Sequence, residues 1–139
     1  MKLSLRNVAA FIGVVFITYF AWRYGSLAWY SRVVFGGQMS GGAVTAIRFW
    51  LSTAAFTVLL FGAAGVLVSF AVRSKKSFLW AALLGFGFGL DALIGAAWRH
   101  GALSISPGPL WVIIVVILPV VSSSAAAAIA DACRSREAI

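Results

Sequence analysis

Residues 78–98 read FLWAALLGFGFGLDALIGAAW, an apolar run in which Asp91 is the only charged side chain. A helix needs about 20 consecutive apolar residues to cross the hydrocarbon core of a bilayer, and this run has that length. Inside lipid the backbone N–H and C=O groups must be hydrogen-bonded within the segment, which a helix achieves. The run therefore predicts a transmembrane helix that carries one carboxylate.

Three further apolar runs accompany this one along the chain. They lie at residues 8–30, 49–72 and 110–130. The separators are rich in glycine, in lysine and arginine, or in proline, as is typical of turns. Lys2 and Arg6 also give the first run the basic start of a signal peptide, but the bulky aromatic residues that follow favour a retained helix. We therefore predict an all-α integral membrane protein, a four-transmembrane-helix bundle forming a single membrane domain over residues 1–139.

The composition agrees with a membrane protein and argues against nucleic-acid binding. The chain is 63% hydrophobic and only 10% charged, whereas soluble domains are roughly 25% charged. Its formal net charge of +8 comes from basic residues at the ends of the apolar runs. This placement is typical of contacts with anionic lipid headgroups and of topology signals. We expect membrane lipids as partners and no nucleic acid.

The distribution of basic residues predicts the orientation of the bundle. With four spans, the N-terminus, the second connection and the C-terminus share one side, which holds seven of the eleven Lys and Arg residues. These are Lys2, Arg6, Arg73, Lys75, Lys76, Arg134 and Arg136. The positive-inside rule then places both termini in the cytoplasm. Outer-membrane proteins are barrels, so we expect a bacterial-type inner (cell) membrane.

The sequence contains no recognisable catalytic or metal-binding motif. One cysteine, Cys133, and one histidine, His100, provide neither a disulfide within the chain nor a zinc ligand set. The serines at 122–124 have no general base nearby in the sequence. We expect no metal, no cofactor, no catalytic residue and no enzymatic activity.

Asp91 is the most informative candidate for a functional residue. A charge in the hydrocarbon region costs at least about 2.5–3.5 kcal/mol, so such residues usually face protein and have a partner. Gly87 and Gly95 lie one helical turn to either side, and small residues allow another helix to approach closely. By rise per residue, Asp91 and Arg23 both lie about 20 Å from the cytoplasmic ends of their helices. We predict that Asp91 faces protein and forms an ion pair with Arg23.

Two interpretations of Asp91 remain open on the sequence. The ion pair either fixes the register of two helices, or it belongs to a protonatable or ion-binding site. In the second case Asp91, Arg23, Arg48 and Arg99 are the candidate residues for binding a substrate or ion, because arginine binds anions in bidentate geometry. Ordinary anchoring at the membrane interface accounts equally for the arginines.

The fourth run contains Pro119 and then a half-helix of serine and alanine. Proline removes a backbone donor and is expected to kink this helix. The small side chains suit tight helix packing, with Ser122 and Ala126 as candidate packing residues beside Gly87 and Gly95. The half-helix belongs either at the centre of this bundle or at the interface with a partner.

These features favour a non-catalytic subunit or assembly partner of a larger membrane system. The small chain, the missing catalytic motif and the small-residue half-helix support it. The alternative is a small homo-oligomeric transporter or channel, with Asp91 and the outer-side arginines lining its site. The expected protein partner is accordingly another membrane protein or further copies of this chain.

Overall fold

A computed structural model describes residues 4–29, 43–100 and 112–138, and gives the backbone alone for 43–46 and 96–100. The described residues form four helices: α1 (Leu5–Trp29), α2 (Ala43–Ala71), α3 (Ser77–His100) and α4 (Leu118–Glu137). A π-helical segment, Ile113–Ile117, leads directly into α4. All four are long and apolar enough to cross a membrane. Within the described residues, the prediction of an all-helical chain with four helices long and apolar enough to span a membrane is confirmed.

All four helices extend past at least one limit that the apolar runs predict, and α2 and α4 do so by the most residues. The second helix begins at Ala43 rather than 49, and the fourth continues to Glu137 rather than 130. The physical reason is that a charged residue ends an apolar run without ending a helix. Asp131 and Arg134, three residues apart, form a salt bridge along the last turns of α4. The connections predicted at 36–42 and 106–109 lie outside the described residues.

Helix α4 lies between α2 and α3 and makes the most extensive packing with both. Helix α1 packs mainly on α2. The buried core is correspondingly concentrated on α2 and on the faces of α3 and α4 that meet it. Its apolar members are Val14, Phe61, Ala64, Val68, Val72, Ala81, Leu84 and Ala127. One face of the small-residue half-helix therefore packs within the bundle against α2 and α3, whereas Ala125 and Ala128 on its other face are exposed.

Glycines on α2 and α3 allow the backbone of α4 to pack directly against the backbones of these two helices. A Cβ atom on Gly65 would lie 2.9 Å from the Ser123 Cα, and one on Gly85 would lie 2.6 Å from the Pro119 carbonyl carbon. The site at Gly89 is nearly as tight, 3.0 Å from the Val116 Cα. Real side-chain carbons pack at about 3.5–4.0 Å, so these contacts exist only because the side chains are absent.

The proline of α4 is accommodated by the π-helical segment that precedes it. The Leu118 N–H donates to the Ile113 carbonyl, five residues back, immediately before Pro119, which has no N–H. The Ser123 hydroxyl then lies 2.6 Å from the Pro119 carbonyl oxygen and 2.8 Å from the Ala81 carbonyl oxygen. A hydroxyl on α4 thus joins its own helix to α3.

The α2–α3 connection and the C-terminal turns of α4 lie at the same end of the bundle, where Ser77 and Ser69 both contact Asp131. We call this the basic end, since it carries Arg73, Lys75, Lys76, Arg134 and Arg136. The opposite end is called the far end.

Candidate functional site

The surface that brings together the predicted polar residues is a groove between α1 and α3. Aromatic side chains hold these two helices apart, with Phe11 on Trp80 (ring centroids 5.0 Å) and Trp22 on Phe88 (5.8 Å). Two adjoining pockets, of about 540 and 440 Å³, follow the gap along the helices. We call this surface the α1/α3 groove. It is lined by Phe11, Val15, Phe16, Tyr19, Trp22, Arg23, Ser26, Leu27, Leu83, Leu84, Gly87, Phe88, Asp91, Ala92 and Gly95.

Asp91 lies in this groove with its side chain exposed, which corrects the expectation that it faces the interior of the chain. Its carboxylate makes no hydrogen bond or salt bridge to any residue that the structure describes. A Cβ atom added at Gly87 would meet nothing within 4 Å. The Gly87–Asp91–Gly95 stripe is therefore open at Gly87 and Asp91, because α3 packs on α4 through the adjacent Gly85 and Gly89 face.

Arg23 lines the same groove as Asp91, as the depth argument predicts, but no salt bridge joins them. Its Nη1 donates instead to the Tyr19 hydroxyl, one turn earlier on α1, across 3.5 Å. The aromatic pairs between α1 and α3 explain the difference, because they separate the two helices. The predicted tie between helices one and three is thus made by aromatic rings, and both charges remain in the open groove.

The other two arginine candidates are not brought into the groove within the described structure. Arg48 is exposed on the early turns of α2 and does not line the α1/α3 groove. Arg99 belongs to the last turn of α3, but its side chain lies outside the described residues. Of the four predicted binding residues, the structure therefore brings two together, Asp91 and Arg23.

The packing face of α4 is offset by one residue from the predicted one. Ser122 and Ala126 are half-buried, and the Ser122 hydroxyl bonds back to the Leu118 carbonyl of its own helix. Ser123 and Ala127 are instead fully buried against the neighbouring helices. The residues are equally small, so composition could not distinguish the faces. The rotation of α4 about its axis is set by the glycines against which it packs, Gly65 on α2 and Gly85 on α3.

A partly open pocket of about 420 Å³ lies among the four helices toward the far end. Its wall is largely aromatic and includes Trp22, Trp50, Phe56, Phe61 and Phe88. The polar groups in the wall are hydroxyls, and those of Thr53 and Thr57 donate to carbonyls of their own helix at 2.8 Å. The pocket is suited to an apolar ligand. It adjoins the groove, because Trp22 and Ser26 line both.

A polar cluster at the basic end was not predicted from the sequence. The Asp131 carboxylate accepts hydrogen bonds from Ser69 (2.5 Å), at the end of α2, and from Ser77, the first residue of α3. It also pairs with Arg134, which donates to the Ser69 carbonyl across 2.9 Å. Three helices are thereby joined at one carboxylate. The sequence features that could have indicated this cluster are the spacing of Asp131 and Arg134 and the presence of Ser69 and Ser77 beside the basic α2–α3 connection.

Neither a metal centre nor a known relative accounts for these surfaces. Among the side chains that the structure describes, no group of three or more from His, Cys, Asp or Glu is placed to hold a metal ion. Comparisons with protein-family models, with curated proteins and with solved structures find no match to this chain. The α1/α3 groove, which holds both Asp91 and Arg23, is the surface that bears on function.

Proposed function

We propose that this chain is a non-catalytic subunit of a larger membrane assembly and binds a partner membrane protein through the α1/α3 groove. The observation that carries the proposal is Asp91, an exposed carboxylate without a partner in the described structure, on a helix apolar enough to cross a membrane. A charge in hydrocarbon costs at least about 2.5–3.5 kcal/mol. A partner that pairs with Asp91 recovers that free energy.

The chemistry of the groove specifies what the partner presents. A helix approaching the stripe meets Gly87, which allows close backbone contact, and Asp91, which accepts hydrogen bonds. The partner helix therefore carries a lysine, an arginine or a neutral hydrogen-bond donor at the depth of Asp91. An acidic residue on the partner helix would pair with Arg23, because the Arg23 guanidinium has N–H donors beyond the one that it donates to Tyr19.

The proposal includes an orientation and a membrane. The basic end, with its cluster of Lys and Arg at Arg73–Lys76 and in the last turns of α4, is on the cytoplasmic side under the positive-inside rule. Both termini are then cytoplasmic, in a bacterial-type inner membrane. Fusing a reporter to either terminus and testing its accessibility from the cytoplasm measures this directly.

Filling the groove tests the docking proposal. Gly87→Leu places a bulky side chain on the stripe, whereas Gly13→Leu adds the same side chain to an exposed position on α1 outside the groove. A Cβ at either glycine meets nothing within 4 Å, so both variants are expected to fold. Gly87→Leu should abolish co-purification with the partner in mild detergent and Gly13→Leu should preserve it. Equal behaviour of the two variants contradicts the proposal.

A second candidate function is a small homo-oligomeric transporter or channel. The observation in its favour is that Trp22 and Ser26 line both the charged groove and the aromatic pocket, so a solute could pass from one to the other. Flux through liposomes containing only the purified chain, lost in Asp91→Asn with unchanged assembly, would establish this function in place of the first.

A further inference from the structure

The basic end contains a second groove, between the α2–α3 connection and the last turns of α4, with a volume of about 820 Å³. Its cationic side chains are Arg73, Lys75 and Arg134. Arg73 and Lys75 are exposed and form no salt bridge within the described structure. The Ser74 hydroxyl accepts the Lys76 backbone N–H across 3.3 Å, which leaves its own proton available for donation.

Among the described residues that line this groove, the one carboxylate is already compensated. Both Asp131 oxygens are engaged, Oδ1 by Ser69 and Arg134 and Oδ2 by Ser77. Its charge is balanced by Arg134, which leaves the two positive charges of Arg73 and Lys75 facing the groove. The Asp131 network also orders Arg134, whose remaining N–H groups are then held in place. The groove is consequently a preorganised set of cationic and hydroxyl donors suited to a phosphate group.

Apolar surface continues from this groove toward the middle of the bundle. Phe70 is 60% exposed and lines the groove one turn before Arg73. The Arg134 guanidinium lies 5.8 Å from the centroid of its ring. A ligand seated here meets positive charge at one end and an exposed aromatic surface at the other. That combination matches an amphiphile rather than a free anion.

We propose that this groove binds the phosphate headgroup of an anionic phospholipid, with the first part of an acyl chain along Phe70. The site is independent of the α1/α3 groove and of the partner proposed there. Arg73, Lys75 and the Ser74 hydroxyl contact the phosphate oxygens, and Arg134 completes the anion site from α4.

Binding of phosphatidylglycerol to the full chain in phosphatidylcholine nanodiscs tests the site. A direct charge-assisted hydrogen bond from Lys or Arg to a phosphate oxygen contributes at least about 1 kcal/mol beyond the diffuse attraction of surface charge, which is about fivefold in affinity. Arg73→Gln and Lys75→Gln should each weaken phosphatidylglycerol binding about fivefold. Lys76→Gln is the matched control, because Lys76 belongs to the same connection, is exposed and does not line the groove. It should change binding less than about twofold.

Three results would overturn the proposal. Equal weakening by Lys76→Gln means that the lipid responds to general surface charge and not to this groove. Full occupancy by inorganic phosphate, with no preference for phosphatidylglycerol over phosphatidylcholine, means that the ligand is the free anion. Unchanged binding in the Arg73→Gln/Lys75→Gln double variant means that no such site exists. All these side chains are exposed, so circular dichroism should show an unchanged fold in each variant.

Discussion

The approach of α4 to α3 at Gly85 gives the sharpest prediction about the fold. A Cβ atom at Gly85 would lie 2.6 Å from both the carbonyl carbon and the oxygen of Pro119, and 2.7 Å from the Val120 nitrogen. Ordinary carbon contacts are about 3.5–4.0 Å, so Gly85→Ala forces the two helices about 1 Å apart. The obstructing atoms belong to the backbone, so no side-chain rotation can relieve the clash.

The magnitude follows from two opposing effects. Overpacking a well-packed site typically costs about 1–3 kcal/mol, and a backbone clash belongs at the upper end of that range. Alanine recovers up to about 1 kcal/mol through its higher helix propensity. Gly85→Ala should therefore lower the free energy of unfolding by about 2 kcal/mol. Gly87→Ala, two residues away, meets nothing within 4 Å and should leave it unchanged or slightly raised.

The assay is reversible unfolding of the purified chain in mixed micelles, followed by the fluorescence of its six tryptophans. Gly85→Ala should shift the unfolding midpoint to lower denaturant while Gly87→Ala coincides with the wild type. Equal destabilisation by both substitutions would refute the assignment of the packing face to Gly85 and Gly89. It would instead support the Gly87 face that sequence reasoning favours.

Two further predictions concern hydrogen bonds between helices, measured by the same unfolding assay. Ser123→Ala removes the buried hydrogen bond from α4 to the Ala81 carbonyl and should lower the free energy of unfolding by about 0.6–1.7 kcal/mol. Ser122→Ala should lower it by less, because the Ser122 hydroxyl bonds only within α4. The reverse order would show that the α4 register is wrong. Asp131→Asn removes the charge that joins α2, α3 and α4 and should cost about 1–2 kcal/mol, reduced by the 22% exposure of its side chain. Glu137→Gln, an exposed acid in the same helix, should be neutral, and an equal loss there would contradict a specific role for Asp131.

The four helices are predictable from the sequence because bilayer thickness and backbone hydrogen bonding leave one solution for long apolar runs. The limits of α4 are not, because apolarity fails at Asp131 while helical hydrogen bonding continues to Glu137. The Asp131 cluster could not be predicted either, because Asp131 lies beyond the apolar run and its partners Ser69 and Ser77 are distant in sequence. Their contact depends on how α2, α3 and α4 assemble.

The groove was only partly predictable. Rise per residue placed Asp91 and Arg23 at similar depth, and the structure puts both in the α1/α3 groove. The orientation of the Asp91 face could not be derived, because Gly85/Gly89 and Gly87/Gly95 each place two glycines on one face of α3, one and two helical turns apart. In the structure, α4 packs against Gly85 and Gly89. Asp91 is exposed as a consequence. It was expected to form an ion pair between α1 and α3, and it instead lies on the surface of the bundle.

Site-specific photocrosslinking in the membranes that naturally contain this chain tests the proposed function most directly. A photoreactive residue at Leu83, exposed in the α1/α3 groove, is compared with one at Leu59, exposed on α2 away from it. We expect Leu83, and not Leu59, to give a discrete adduct with a different membrane protein, and Asp91→Asn to eliminate it. An adduct of two copies of this chain, or lipid adducts alone from both positions, would contradict the account.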